Sequence, residues 1–180
     1  MAAESPFVAT ALDVANAVLP PPLVVKRGAP LLYQVTVDNR LNVTSDPKNP
    51  RRAKSAYQTD LCVFERLADG VELPRVVLEF KTSFTTHDVI IYSTNARRHK
   101  QIYPYLRYGM VASSLRNVGG RLFNHNESLD FCAAVAGLGD DELRSFFADL
   151  IVAEVEASRR LESIFFGSAK TRLFRSAVLI

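Results

Sequence analysis

The chain has 180 residues, of which 48% are hydrophobic, and a net charge of +3. We therefore predict one domain over residues 1–180 with a full apolar core. No apolar run reaches the roughly 20 residues that span a bilayer, and residues 1–6 lack the basic start of a secretory signal. Two cysteines, Cys62 and Cys132, are too few for a disulfide framework. These features exclude a membrane protein and predict a cytoplasmic one.

The first third of the chain contains a predicted helix, a strand and a long loop. Residues 4–19 carry apolar side chains at helical spacing, and the three prolines at 20–22 end that helix. Residues 31–37 alternate as a strand. Residues 39–55 form a polar, basic loop that is longer than a usual connection. This loop is either a functional segment that reaches over a bound duplex or a plain surface loop.

A hairpin is predicted next. Two apolar segments of strand character, residues 56–67 and 74–82, flank Asp69-Gly70, which is a strong hairpin signal. If the chain folds back there, residues whose numbers sum to 139 face each other, so Asp60 pairs with Glu79. Directly opposed Cβ atoms are roughly 4.5–5.5 Å apart. Lys81 lies two residues beyond Glu79 and projects from the same face.

The remaining elements alternate between helix and strand, which predicts an α/β protein. A helix capped by Thr85 or Thr86 runs to about residue 103. A strand follows at 105–113, in which Gly109 marks a bulge or a close backbone approach. After a turn at 117–120 we predict a short strand at 121–124, and residues 128–136 fit either strand or helix. Asp140 caps a long amphipathic helix at 141–165, and 168–180 form a final strand or a dimerising tail.

Positive charge is concentrated in one part of the chain. Residues 89–126 contain no Asp or Glu. Their basic side chains are Arg97, Arg98, His99, Lys100, Arg107, Arg116, Arg121 and His125. A segregated basic stretch is typical of a polyanion-binding surface, and an accidental solvated stretch is the alternative. Arg97, Arg98, Lys100 and Arg107 are the candidate nucleic-acid contacts, with Arg107 as a phosphate clamp.

Two carboxylates and a lysine on one patch of sheet indicate metal-dependent phosphodiester chemistry. Paired carboxylates repel each other unless a hard cation neutralises them, and Mg²⁺ prefers oxygen ligands. The lysine ammonium can orient the attacking water or stabilise charge on the phosphate. The alternative is a solvated acid pair with Lys81 as its ion-pair partner.

Thr59-Asp60, followed after 18 residues by Glu79-Phe80-Lys81, resembles the PD-(D/E)xK nuclease superfamily, the fold of many restriction enzymes. The resemblance implies a mixed central β-sheet flanked by helices, restriction-endonuclease-like, with Mg²⁺ as cofactor and DNA as substrate. It implies that Asp60 and Glu79 bind the metal, with the Phe80 carbonyl as a further ligand, and that Lys81 is catalytic.

Other candidate positions carry a weaker resemblance. Gln101 and Tyr105 match the Gln-x-x-x-Tyr pattern of RecB-type exonucleases in the same superfamily. Pro104 departs from that pattern, and Tyr103 and Tyr105 can equally be core aromatics at a helix-to-strand turn. Members often add a glutamate on the first helix, a role that Glu4 or Asp13 could fill.

The sequence thus predicts a Mg²⁺-dependent DNA endonuclease. Cutting a duplex needs two sites, so a homodimer is expected for a chain of this size. The first alternative is a non-catalytic or weakly catalytic nucleic-acid-binding subunit of a larger defence or repair system. The second alternative is a structural or protein-binding domain whose hairpin acids are incidental.

Overall fold

A computed structural model describes residues 4–51 and 55–173 of the chain. Residues 174–180 of the predicted final strand or tail lie outside this range, as do Arg52 and Lys54 of the predicted loop. In chain order the elements are α1 (Glu4–Val18), β1 (Leu23–Arg27), β2 (Pro30–Leu32), β3 (Ala56–Gln58), β4 (Leu61–Arg66), β5 (Glu72–Lys81), α2 (Thr86–Ile102), β6 (Arg107–Ala112), α3 (Gly120–His125), β7 (Phe131–Ala134) and α4 (Asp140–Phe165).

Five strands form a mixed central sheet in the order β1-β4-β5-β6-β7. The β1–β4 and β4–β5 pairs are antiparallel, whereas β5–β6 and β6–β7 are parallel. Parallel neighbours need a crossover connection, which α2 supplies between β5 and β6. A second, two-stranded sheet pairs β2 with β3. The predicted α/β class with a mixed central sheet flanked by helices is confirmed.

Apolar clusters cover both faces of the central sheet. On one face, α1 and α4 pack against alternate residues of β4 and β5, including Leu61, Leu78 and Phe80. On the other face, α2 and the small β2–β3 sheet pack against Val77 and Tyr108. Side chains alternate between faces along a strand, so Glu79 and Lys81 share the α2 face with Val77.

The β4–β5 hairpin has the predicted register beside Asp60 but not beside the turn. Near the turn, Arg66 pairs with Glu72 rather than with Leu73, so the connection between these strands encloses one residue fewer than the predicted register requires. A bulge at Arg75 then adds one residue to β5, so Leu61 pairs with Leu78 and the sum of 139 is restored. Gly70 at the turn has a φ of +82°, a conformation that glycine adopts readily.

Several predicted elements are corrected by the structure. The strand at 31–37 is shorter, at Pro30–Leu32, and β1 was not predicted. The segment 56–67 is two strands with a break at residues 59–60, and 121–124 lies in α3 rather than in a strand. Residues 168–173 form no strand. The ambiguous segment 128–136 contains β7, while Gly139 rather than Asp140 precedes the first turn of α4.

A partly buried cluster of ion pairs ties α4 to the hairpin. Arg75, only 3% exposed, contacts Glu65 at 2.7 Å and Glu162 at 2.6 Å, and Arg159 contacts Glu65 at 3.1 Å. We call these four residues the α4 ion-pair cluster. Because the arginine is withdrawn from water, its charge is stabilised by the two carboxylates.

Candidate active site

Asp60 lies in the break between β3 and β4. The preceding residue, Thr59, is buried, and both its amide and its hydroxyl donate to the Ala29 carbonyl, at 3.0 and 2.9 Å. The Gly28 amide donates to the Asp60 carbonyl at 3.2 Å. Asp60 Oδ2 accepts a hydrogen bond from the Phe80 amide at 2.8 Å. These bonds hold the Asp60 carboxylate beside the carboxyl end of β5.

Glu79 lies near that end of β5 and is only 5% exposed. Its Oε1 accepts a 2.8 Å hydrogen bond from the Tyr108 hydroxyl on the neighbouring strand β6. Burial and, to a smaller extent, the charge of Asp60 raise the pKa of Glu79 to about 8, against the opposing hydrogen bond from Tyr108. The Glu79 and Asp60 carboxyl groups interact directly, although Asp60 lies just beyond the last pair of the ladder, Leu61–Leu78.

Lys81 projects from the same face of β5 as Glu79. Its Nζ lies 5.3 Å from the centroid of the Tyr92 ring on α2. Burial raises the pKa of the Tyr92 hydroxyl, while a hydrogen bond with Lys81 partly opposes that rise. Asp60, Glu79 and Lys81 are thus brought to one end of the sheet, on one face.

An open cavity of about 440 Å³ lies over the two acids. Its lining residues are Tyr33, Ala56, Tyr57, Gln58, Asp60, Glu79, Tyr92, Asn95 and Tyr108. Its size falls within the roughly 300–1,000 Å³ of small-ligand sites. The four tyrosines and Asn95 were not predicted from the sequence. They come from four separate elements or their flanks. Tyr57 lies three residues before Asp60, but no spacing in the chain relates the other three tyrosines and Asn95 to the acid pair.

His99 packs in the protein core against Tyr108 and is not part of a basic surface. It is fully buried, its Nδ1 lies 2.7 Å from the Leu32 carbonyl, and its ring stacks on Tyr108. Burial lowers the pKa of His99 to about 4. Its predicted contribution to the positive charge of residues 89–126 is therefore wrong, because a buried imidazole without a counter-ion stays neutral.

The four predicted nucleic-acid contacts are divided between two places. Arg97 and Arg98 are exposed on α2. Arg98 donates to the Tyr57 hydroxyl at 2.9 Å and lies near the Tyr33 ring, so it stands at the rim of the cavity.

Lys100 and Arg107 have structural contacts instead. Both pair with Asp130, at 2.6 and 2.8 Å, and Arg107 also contacts Glu154 at 2.6 Å. Arg107 begins β6, opposite Val76, at the end of the sheet away from Glu79. The phosphate-clamp role predicted for Arg107 does not fit this placement, because acids from outside the basic stretch neutralise both side chains.

The weaker candidates lie outside the cavity. Gln101 is exposed in the last turn of α2, and Tyr105 is buried beside Arg75 and Phe166. Tyr105 is therefore a core aromatic at the helix-to-strand turn, and the RecB-type pattern is not brought to the acids.

Helix α1, which carries Glu4 and Asp13, packs on the opposite face of the sheet through Phe7 and Phe80. The Asp13 side chain is exposed there, whereas the structure does not describe the side chain of Glu4. The α1 position does not supply a third acid to the cavity face through Asp13. The Phe80 ring points away from the acids, so only its backbone can reach them.

Three further observations concern metal binding, membrane spanning and similarity to known proteins. Within residues 4–51 and 55–173, no group of three or more His, Cys, Asp or Glu side chains is arranged to hold a metal ion. No described helix has the length and apolarity required to cross a membrane. No protein-family model and no curated protein matches the chain.

Proposed function

We propose that the protein is a Mg²⁺-dependent nuclease that hydrolyses DNA phosphodiester bonds and resembles the PD-(D/E)xK nucleases. The observation that carries the proposal is the meeting of Asp60 and Glu79 on the floor of an open cavity, with Lys81 two residues along the same strand face. The mixed sheet flanked by helices agrees with this proposal without being specific to it.

The chemistry of the acid pair fits a hard cation. Burial and the neighbouring Asp60 carboxyl raise the pKa of Glu79 to about 8, so a cation bound between the two groups would stabilise their ionised forms. Asp60 Oδ2 and Glu79 Oε1 already accept hydrogen bonds from Phe80 and Tyr108. Glu79 also hydrogen-bonds to Asp60, an interaction that a metal ion held by one oxygen of each carboxylate would replace. The Phe80 carbonyl is a further candidate ligand. A bound Mg²⁺ would polarise a phosphoryl oxygen and activate water.

The chain's own residues would position the reactants. The Tyr108 hydroxyl and the Phe80 amide fix the two carboxylates from opposite sides, so neither needs to reorganise during the reaction. The Lys81 ammonium, held beside Tyr92, would orient the attacking water or stabilise the charge that develops on the phosphate. Arg97 and Arg98 would engage the DNA backbone.

Assembly and location are proposed on the same basis. Two active sites are needed to cut both strands of a duplex, which a symmetric homodimer would supply. The two cysteines are free thiols, as is usual for a protein of the reducing cytoplasm.

Cleavage assays with matched variants test the proposal. We expect the wild type to cut plasmid DNA or single-stranded DNA with Mg²⁺ and to lose activity in EDTA. Asp60→Asn, Glu79→Gln and Lys81→Ala should each reduce the rate by at least about 100-fold, the scale of a lost charge-stabilising group. Asp69→Asn, at the exposed hairpin turn, is the control and should retain full activity.

The outcome also separates the alternatives. Salt-dependent DNA binding without cleavage would favour the non-catalytic nucleic-acid-binding subunit. Absence of both binding and cleavage would contradict the nuclease and that subunit alike, and would leave a structural or protein-binding domain.

A further inference from the structure

Two stacked tyrosines form one wall of the candidate catalytic cavity. The ring centroids of Tyr33 and Tyr57 are 4.0 Å apart, and the ring planes differ by 18°. Both side chains are half-buried, and both line the cavity that holds Asp60 and Glu79. Part of this aromatic wall is therefore available to a molecule in the cavity.

The backbone fixes this wall relative to the acids. The Tyr33 amide donates to the Ser55 carbonyl at 2.9 Å, and Tyr57 pairs with Leu31 in the small sheet. Tyr57 precedes Asp60 by three residues, and the intervening Thr59 is anchored twice to Ala29. An aromatic surface held in place before binding is well suited to recognise a planar group.

Arg98 adds a positive charge against the two tyrosines. Its guanidinium donates to the Tyr57 hydroxyl at 2.9 Å, and its Cζ lies 5.7 Å from the centroid of the Tyr33 ring. The side chain is nevertheless exposed. Helix α2 also brings Tyr92 and the amide of Asn95 to the cavity. The cavity therefore combines aromatic surface, a cation and hydrogen-bonding groups above an acidic floor.

We propose that the Tyr33–Tyr57 wall binds the base of an unpaired nucleotide, and that the preferred substrate is single-stranded DNA or an unpaired DNA end. This inference rests on the proposed function, because the acid pair defines where the scissile phosphate lies. Bases within a duplex are stacked on one another, whereas an unpaired base can offer its face to an aromatic side chain. Arg98 would contact the phosphate beside that base.

A binding experiment without hydrolysis tests this inference. Twelve-nucleotide DNA strands, each with 2-aminopurine at one position, are titrated in EDTA as single strands and as matched duplexes. We expect tighter binding of the single strand and a change in 2-aminopurine emission that is confined to one or two positions. Tyr33→Leu should weaken single-strand binding by roughly 5- to 150-fold, the effect of losing one base–aromatic stack, and should leave duplex binding unchanged.

Two further variants make the result independent of folding defects. Arg98→Ala removes an exposed side chain and should lower single-strand affinity, with a salt slope reduced by about 1. Phe123→Leu, an exposed aromatic on α3 that is 61% accessible, is the control and should bind as the wild type does. Equal affinity for duplex and single strand, or equal affinity of the Tyr33→Leu and Phe123→Leu variants, would overturn the inference.

Cleavage of the same strands with Mg²⁺ separates this inference from the nuclease proposal. Base stacking that depends on Tyr33 without any cleavage supports the aromatic wall and contradicts the nuclease. Cleavage that is unaffected by Tyr33→Leu supports the nuclease and contradicts the aromatic wall.

Discussion

The buried carboxyl of Glu79 makes a specific prediction about stability in the absence of metal. Its pKa is about 8 in the folded protein, against an ordinary value of 4.5. Between these values the folded protein keeps a proton that the unfolded chain releases. The free energy of unfolding therefore falls as the pH rises: the contribution of Glu79 is complete below pH 4.5 and is lost as the pH passes through about 8.

The size of the effect follows from the same two pKa values. The loss approaches about 1.4 kcal/mol per pH unit within the window. Summed from pH 5 to pH 9, it amounts to about 4 kcal/mol. Glu79→Gln keeps an oxygen that can accept from Tyr108 and an amide that resembles the protonated acid. This variant should therefore become more stable than the wild type by about that amount over the same range.

Urea unfolding followed by circular dichroism, at pH values from 5 to 9 in EDTA, measures this difference. Glu127→Gln removes an exposed carboxyl and should retain the wild-type dependence on pH. If wild type and Glu79→Gln lose stability in parallel, Glu79 does not carry the raised pKa, and the electrostatic basis of the acid pair is refuted.

Three further predictions concern packing, the α4 ion-pair cluster and helix α2. A Cβ on Gly109 would lie 2.2 Å from the Phe131 ring, so Gly109→Ala should lower the free energy of unfolding by about 1–3 kcal/mol, as measured in urea. A Cβ on Gly119 would have no atom within 4 Å, so Gly119→Ala is the control and should be nearly neutral. Arg75→Ala should lower the free energy of unfolding by about 3–5 kcal/mol, because it leaves partly buried carboxylates without their buried partner. Arg66 pairs with Glu72 through a side chain that is more than half exposed, so Arg66→Ala should cost less than about 1 kcal/mol. Equal losses in the two variants would contradict the assigned burial. Arg97→Ala should weaken DNA binding at all sequences and lower the salt slope by about 1 in fluorescence anisotropy titrations, and an unchanged slope would remove Arg97 from the interface.

The position of the hairpin was predicted from the sequence, but its local irregularities were not. Asp69-Gly70 and the flanking apolar segments located the turn, and the register at Leu61 and Leu78 was predicted correctly. That agreement depends on two deviations that cancel: the connection at the turn encloses one residue fewer than predicted, and the bulge at Arg75 adds one residue to β5. Pro74, which cannot donate a ladder hydrogen bond, is the local signal that could have indicated the bulge.

Elements stabilised mainly by tertiary contacts were harder to predict. Strand β1 is five residues long and follows three prolines, so its pairing with β4 has no local signature. The segment 121–124 follows a turn and has two adjacent apolar residues, which favoured a short strand. It lies instead in the connection between the parallel strands β6 and β7, where the chain must cross over before pairing again.

The site also contains residues that the sequence predicted and residues that it did not. Asp60, Glu79 and Lys81 were predicted because they belong to one hairpin, whose geometry follows from the chain. Tyr33, Asn95 and Tyr108 reach the cavity from elements whose packing the sequence does not specify. Charge counting along residues 89–126 also failed for Lys100 and Arg107, because their partners Asp130 and Glu154 come from outside that stretch.

The central claim is that Asp60 and Glu79 share one divalent cation. Crystals soaked in Mn²⁺, which accepts the same oxygen ligands as Mg²⁺, test it most directly through anomalous diffraction. The account predicts an anomalous peak within bonding distance of one oxygen from each carboxylate, and its loss in Asp60→Asn. Crystals of the wild type with no peak between the two carboxylates at saturating Mn²⁺ would contradict it.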